Sequence, residues 1–100
     1  MKKLLLALTA TSLMTMGSAQ AGNAEAGKSA YSTCVGCHGA AGEGGVGPAL
    51  AGRDTAEIAD LLKKYRAGEQ VGPMTSMMAP MAANLSDADI ENIAAYVKTL

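Results

Sequence analysis

The sequence predicts an all-α domain with about three main helices separated by two long loops. Apolar side chains recur at helical spacing in three stretches, and no stretch alternates apolar and polar residues as a half-buried strand does. The segments between those stretches are rich in Gly, Pro or Met, which is typical of loops. The chain has no Phe and no Trp, so a domain this small needs a cofactor, a metal or a disulfide to support its core.

Residues 1–21 have the pattern of a signal peptide. Lys2 and Lys3 are followed by a mostly apolar run and by small residues at 19–21, where a signal peptidase can cleave. The apolar run is shorter than the roughly 20 residues of a transmembrane helix. We therefore expect one domain at 22–100, located in the periplasm, with no stable membrane insertion after cleavage. A retained interfacial anchor is the alternative interpretation.

The charge of the chain excludes one class of partner. The formal net charge is −1 at pH 7, and loss of the two lysines of the signal peptide makes the remaining domain more acidic. Nucleic-acid binding needs a basic surface, so we expect no nucleic-acid partner.

The first helix is predicted over about 24–33, with Asn23 as its N-cap. Within it Gly27 and Tyr31 lie four residues apart and therefore on one face. The stretch 39–52, rich in Gly and Ala, is predicted as the first long loop.

The second helix is predicted to begin near Asp54, with Glu57 in the position of a capping box. Gly68 is placed to end this helix. Residues 68–84 are predicted as the second long loop because Gly and Pro interrupt them. The apolar stripe of the helix contains four residues, namely Ile58, Leu61, Leu62 and Tyr65.

The last helix has the clearest start in the sequence. Ser86 is its predicted N-cap, Asp89 completes a capping box, and Leu85 can pack onto Ile90 as a hydrophobic staple. Its inward face is predicted to consist of Ile90, Ile93, Ala94 and Val97, with Tyr96 beside them.

Residues 34–38 (Cys-Val-Gly-Cys-His) form the C-x-x-C-H pattern of c-type haem attachment. Two thiols at this spacing can form thioether bonds with the two vinyl groups of one porphyrin. The imidazole of His38, the only histidine in the chain, can then bind the iron. We therefore expect one covalently attached haem c held by Cys34, Cys37 and His38.

Three other interpretations of the cysteine pair compete with haem attachment. It could form an ordinary disulfide in an oxidising compartment. It could be a thiol–disulfide redox centre, but such a centre normally follows a strand, and no strand is predicted. It could bind zinc, but four ligands are needed and no other Cys or His is present.

The second axial ligand of the iron is expected to be a methionine. With the only histidine already used, a thioether is the natural donor, and the second predicted loop contains Met74, Met77, Met78 and Met81. The residues alone give these four similar weight. Any of them could instead fill gaps in the core or pack against the haem.

Residues 22–100 resemble the small monohaem class I bacterial cytochromes c, and they are also similar to one half of the dihaem periplasmic cytochromes c. Four stretches carry this resemblance, namely 34–39 (CVGCHG), 47–52 (GPALAG), 78–87 (MAPMAANLSD) and 93–97 (IAAYV). The resemblance implies a cytochrome c fold whose two long loops wrap around one covalently bound haem.

The resemblance also selects a distal ligand. In that family the distal methionine stands seven residues before the apolar residue that precedes the cap of the last helix. Leu85 has that place here, which selects Met78 and gives His38 and Met78 as the metal ligands. Met81 ranks next among the candidates.

Two further roles are implied by the resemblance. The carbonyl of Pro48 would accept a hydrogen bond from Nδ1 of His38, although an ordinary loop proline is equally compatible with the sequence. Gly27 and Tyr31 would lie where the first helix crosses the last one near Tyr96. Outside these patterns, Arg53 could pair with a haem propionate, but an exposed, solvated arginine is the commoner case, so we leave it out of the site.

The expected function is that of a single-electron carrier, not an enzyme, acting as a monomer between redox protein partners in the membrane or the periplasm. A filled sixth coordination site leaves no place for a substrate at the iron. The alternative within the same chemistry is a cytochrome subunit of a periplasmic dehydrogenase complex. A ligand sensor or peroxidase with an open iron is the alternative of a different kind.

Overall fold

The structure is a computed structural model and describes residues 22–100. It contains five α-helices and one 3₁₀ turn (Tyr31–Thr33), and no strand within the described range, so the all-α prediction is confirmed. The helices are α1 (Ala24–Ala30), α2 (Val35–His38), α3 (Thr55–Arg66), α4 (Thr75–Ala82) and α5 (Asp87–Lys98). The predicted signal peptide lies outside the described residues. None of the helices in the described range is long and apolar enough to cross a bilayer.

The first predicted helix is divided in the structure. Asn23 caps α1 as predicted, because its side chain accepts hydrogen bonds from the backbone N–H groups of Glu25 and Ala26 (2.9 and 3.1 Å). After Ala30 the chain tightens, and the N–H of Cys34 bonds to the carbonyl three residues earlier. This tighter turn redirects the chain before α2, which contains most of the C-x-x-C-H segment.

Helices α1 and α5 cross at Gly27, where the two backbones lie in direct contact. A Cβ atom at this position would overlap the backbone carbonyl of Asn92 and lie 2.9 Å from the Cβ of Tyr96. The rings of Tyr31 and Tyr96 pack beside the crossing, with centroids 5.4 Å apart. The crossing implied by the family resemblance is therefore present.

Helix α3 begins and ends close to the predicted residues, but its predicted capping box is wrong. Asp54 has the extended backbone of an N-cap, yet its side chain makes no capping hydrogen bond. The carboxylate of Glu57 lies 3.7 Å from the guanidinium of Arg53, so it is turned towards a cation instead of the backbone N–H of Asp54. Gly68, with φ +79°, follows the end of the helix as predicted.

Helix α4 corrects the prediction of an uninterrupted loop at 68–84. The side chain of Thr75 organises its start by accepting hydrogen bonds from the N–H groups of Val71 and Gly72 (2.9 and 2.8 Å). Pro80 lies inside the helix and lacks the amide hydrogen of an ordinary helical residue. Packing of α4 against α3 compensates for that missing backbone bond.

Helix α5 has the predicted capping box. The N–H of Asp89 donates to the hydroxyl of Ser86, and the N–H of Ser86 donates to the carboxylate of Asp89, both at 3.0 Å. Its buried face forms the centre of the core, and α1 and α3 pack against it. The core cluster consists of Tyr31, Ile58, Ala59, Leu62, Ile90, Ile93, Ala94 and Val97. No Phe or Trp extends it, and a cavity remains beside it.

Replacement of Gly27 by Ala is expected to lower the free energy of unfolding by at least about 2 kcal/mol, because the new methyl group would force the two helix backbones apart. Chemical denaturation followed by circular dichroism measures the effect. Gly72→Ala is the matched control, since a Cβ at Gly72 meets no atom within 4 Å. Equal stability of the two variants would contradict the close crossing.

Candidate functional site

A cavity of about 240 Å³ opens between α2, the first loop, α3 and α4. Its wall is mostly apolar and is formed by residues from every helix except α1. The segment 31–38 contributes Tyr31, Thr33, Cys34, Cys37 and His38, and the loop contributes Val46, Gly47, Pro48, Leu50 and Arg53. Helix α3 contributes Ile58, Leu61, Leu62 and Tyr65, and the remaining wall is formed by Met74, Met77, Met78, Met81, Ala82, Leu85, Ile93 and Val97.

Both predicted cysteines line this cavity. Cys34 is half-buried and Cys37 is exposed, and their sulfur atoms are not joined by a disulfide. Burial raises the pKa of the Cys34 thiol, while a hydrogen bond with the side chain of Thr33 acts in the opposite direction and the charge of Cys37 raises it further. The Cys34 thiol therefore stays protonated near neutral pH.

The imidazole of His38 is buried and held by the first loop. Its Nδ1 lies 2.8 Å from the carbonyl oxygen of Pro48. Because a carbonyl only accepts, Nδ1 carries the proton and Nε2 keeps its lone pair for a metal ion. The hydrogen bond implied for Pro48 by the family resemblance is therefore present.

Gly47 lies flat against the same ring. A Cβ atom at this position would lie 2.6 Å from Cε1 and 2.9 Å from Nδ1 of His38. The N–H of Gly47 donates to the carbonyl of Cys37 (2.8 Å), and the N–H of Gly44 donates to the carbonyl of His38 (2.8 Å). The loop backbone thus fixes the position of the ring, a role that the sequence analysis did not assign to Gly47.

The four methionines lie on one face of the chain at and within α4. Their spacing of three, four and seven residues places them on successive turns, and all four line the cavity. Met78 is half-buried and packs against the core cluster. Met74, Met77 and Met81 are 41%, 53% and 50% exposed. The structure therefore brings Met78 to the same cavity as His38 and holds it more firmly than the other three.

These residues fit a haem. The cavity has the apolar wall that a porphyrin requires, together with two thiols and an imidazole nitrogen without a proton. A thioether is available from a separate helix. This set of donors matches a c-type haem with one nitrogen and one sulfur ligand, whereas a structural zinc site needs four ligands.

Tyr31 closes the inner end of the cavity. Its side chain is 1% exposed, and its hydroxyl donates a hydrogen bond to the carbonyl of Gly39 (2.7 Å). Burial raises the pKa of this hydroxyl, and the charges of Cys34, Glu43 and Tyr96 raise it further. The cavity therefore has a neutral phenol beside the segment that contains His38.

Comparison with known proteins supports this assignment. Residues 24–100 match the family model described as Cytochrome c. The chain is 44% identical over 78 residues to cytochrome c-554(548) of Halomonas halodenitrificans, covering 76% of this chain and 94% of that protein. It is 40% identical over 90 residues to cytochrome c-554(547) of Halothiobacillus neapolitanus, covering 80% of this chain and 99% of that protein.

Solved structures with the same fold include two cytochromes c4. The cytochrome c4 of Acidithiobacillus ferrooxidans superposes with a TM-score of 0.72 at 28% identity, covering 80% of this chain and 51% of that chain. The reduced cytochrome c4 of Pseudomonas stutzeri gives a TM-score of 0.69 at 28% identity, covering 80% of this chain and 52% of that chain. This chain therefore spans about half the length of those structures.

Tyr31→Phe is expected to lower the free energy of unfolding by about 1 kcal/mol at neutral pH, because the hydrogen bond to Gly39 is lost. The raised pKa of Tyr31 means that the folded state keeps a proton that the unfolded state releases above pH 10. The stabilisation of the folded state by this raised pKa is complete below pH 10 and is lost as the pH rises through the folded-state pKa of Tyr31. The difference between wild type and variant should therefore shrink above pH 10.

Urea denaturation over this pH range measures the difference. Tyr96→Phe is the control, because it changes the other ring of the pair and keeps Tyr31, so it should retain the alkaline decline of the wild type. A wild-type advantage over Tyr31→Phe that stays constant above pH 10 would contradict the role given to the Tyr31 hydroxyl.

Proposed function

Because the chain belongs to the cytochrome c family and has one covalent haem c, we propose that it is a single-electron carrier of the periplasm with His38 and Met78 as axial ligands. Electron transfer by a c-type haem protein is the activity that its cytochrome c relatives indicate. The observation that carries the proposal is the convergence of Cys34, Cys37, His38 and Met78 on one cavity.

Each binding residue has a separate part in this proposal. Cys34 and Cys37 form the two thioether bonds that make loss of the cofactor difficult. His38 would bind the iron through Nε2. The hydrogen bond from its Nδ1–H group to the carbonyl of Pro48 orients the ring and strengthens Nε2 as a donor. When bound, the haem supplies an iron that changes between ferric and ferrous by one electron.

Met78 is the preferred sulfur ligand because its environment restrains it. Met78 packs against the core, whereas Met77 and Met81 are about half exposed. The exposed side chains have more conformational freedom, so fixing one of them at the iron would cost more conformational entropy. Compared with a second imidazole as the ligand, a thioether stabilises the ferrous state of the iron and thereby raises the reduction potential.

The carrier function follows from the coordination and from the surroundings of the cavity. His38 and Met78 would together leave no site at the iron for a substrate, which favours a carrier over an enzyme. Four exposed apolar residues line the cavity, namely Val46, Met74, Met77 and Met81. Such a surface suits brief contacts of a monomer with redox protein partners, which have small and weak interfaces.

Export to the periplasm rests on the signal-peptide pattern of residues 1–21. The residues that follow Ala21 lie against α5. The N–H of Asn23 donates to the side chain of Asn92 on α5 (2.8 Å), and Gly22 lies against the carbonyl of Glu91.

Met78→Ala is expected to open the sixth coordination position. In protein matured by an exporting host, the ferric red absorption band of iron–thioether bonding should disappear, carbon monoxide should bind to the reduced form, and the potential should fall. Met74→Ala is the matched control and should leave all three properties close to those of wild type. Equal, small effects of the two substitutions would show that another residue is the ligand.

Cys37→Ser is expected to impair covalent attachment, because only one thioether bond can then form. Haem staining on a denaturing gel measures this loss relative to wild type, with Ser32→Ala as a control for a substitution in the same segment. Undiminished staining of Cys37→Ser would argue against two thioether bonds. Mass spectrometry of the secreted wild-type protein would show whether the chain begins at Gly22.

A further inference from the structure

Helix α4, which contains the proposed sulfur ligand Met78, has little stability of its own. It is eight residues long, and isolated helices of that length are marginal in water. Pro80 lies inside it and has no amide hydrogen to donate, and the N-cap residue Met74 makes no capping hydrogen bond with its side chain. The position of Met78 therefore depends on packing against α3 and on contacts at the two ends of α4.

The first end of α4 is held by the buried side chain of Thr75. Its hydroxyl accepts hydrogen bonds from the N–H groups of Val71 and Gly72, and it donates one to the carbonyl of Gly72 (2.7 Å). These bonds join residues 71–75 to one another. They fix the shape of the chain where the helix begins.

The other end of α4 is held by a side chain from a different helix. Arg66, the last residue of α3, donates from Nη1 to the carbonyl oxygen of Leu85 (3.1 Å), and its Nη2 lies 2.8 Å from a carboxylate oxygen of Asp87. Leu85 lines the cavity and packs against the core, and Asp87 is the first residue of α5. One guanidinium therefore joins the end of α3 to the junction between α4 and α5.

The two contacts of Arg66 differ in strength. The side chain of Asp87 is 81% exposed, so its ion pair with Arg66 is weakened by solvent. The side chain of Arg66 is 29% exposed, and its bond to Leu85 is partly buried. A charged donor makes a stronger hydrogen bond than a neutral one, and a partly buried carbonyl that loses its donor is costly. The bond to Leu85 is therefore the more important of the two.

The bond between Arg66 and Leu85 bears on the iron because Met78 stands only seven residues before Leu85. A shift of Leu85 would move the end of α4 and, with it, the sulfur of Met78. Building on the haem site proposed above, we propose that Arg66 is a positioning residue that holds Met78 at the iron through the carbonyl of Leu85. Loss of this bond makes the iron–sulfur bond easier to break and leaves His38 in place, because His38 is held by the first loop.

The test measures how easily an added ligand displaces Met78 in the mature haem-loaded protein. Imidazole is titrated into the ferric form, and loss of the red iron–thioether band gives its apparent Kd. Arg66→Gln should lower that apparent Kd about tenfold, which corresponds to about 1.4 kcal/mol, because the sulfur then competes less well for the iron. On heating, the band of this variant should disappear before the helical circular dichroism signal does, whereas a purely structural role would lower both temperatures together.

Three further variants separate this bond from general electrostatics. Arg66→Lys keeps the charge, but one ammonium nitrogen cannot take the places of both Nη1 and Nη2, so its apparent Kd for imidazole should lie between those of wild type and Arg66→Gln. Asp87→Asn keeps the bond to Leu85 and should stay close to wild type. Lys63→Gln is the matched control, because Lys63 also joins α3 to α5 through a partly exposed ion pair, 3.5 Å from Glu91, and it should stay close to wild type as well.

The proposal is overturned if Arg66→Gln changes the apparent Kd no more than Lys63→Gln does, or if its red band and its helical signal are lost at the same temperature. An equal effect of Asp87→Asn and Arg66→Gln also overturns it, because the ion pair and not the bond to Leu85 would then hold the junction. If Arg66→Gln does not mature, Arg66→Lys decides the question, and a wild-type apparent Kd in that variant overturns the proposal.

The wild-type spectrum distinguishes this failure from failure of the proposed function. A wild-type protein without covalent haem or without the iron–thioether band contradicts the haem site itself. A normal wild-type spectrum combined with unresponsive Arg66 variants contradicts only the role of Arg66.

Discussion

Burial of apolar surface against a bound cofactor is the interaction on which this small domain depends. The described residues form a core of eight side chains, of which Tyr31 is the only aromatic one, and the largely apolar wall of the cavity continues directly from it. A cavity with so few polar groups holds water poorly, so the space is stable when an apolar group fills it. The haem is therefore a part of the core as well as the redox centre.

The orientation of the His38 ring depends on backbone geometry as much as on the identity of the residue. Helix α2 ends at His38, and the first loop decides which nitrogen of the His38 ring is available. Gly47 lies against the ring, and the carbonyl oxygen of Pro48 accepts a hydrogen bond from the Nδ1–H group of His38. These two neighbouring residues therefore set both the orientation of the ring and the strength of its other nitrogen as a donor. A loop that performs this task has little freedom in sequence, even though it contains no group that reacts.

Much of the fold and the site could be predicted because local rules determine them. The caps at Asn23 and Ser86, the face of α5 and the C-x-x-C-H spacing are each encoded within a few residues. Helix α4 was missed because Gly72, Pro73 and Pro80 favour a loop locally, while packing on α3 stabilises the helix. The four methionines have the spacing of residues on one face of a helix, and this spacing was the sequence feature that could have predicted α4. The absence of a capping box at α3 could not be predicted from the sequence. The carboxylate of Glu57 can pair either with the backbone N–H of Asp54 or with Arg53, and only the folded geometry determines which pair forms.

The crossing of α1 and α5 at Gly27 has a consequence for the order in which the domain assembles. The ribosome makes α1 early and α5 much later, so their contact cannot form until most of the domain has been synthesised. During that interval α1 has no partner for its buried face and is too short to be stable alone. The segment that contains Cys34, Cys37 and His38 follows α1 directly, so the crossing cannot help to fix its position until α5 has been made.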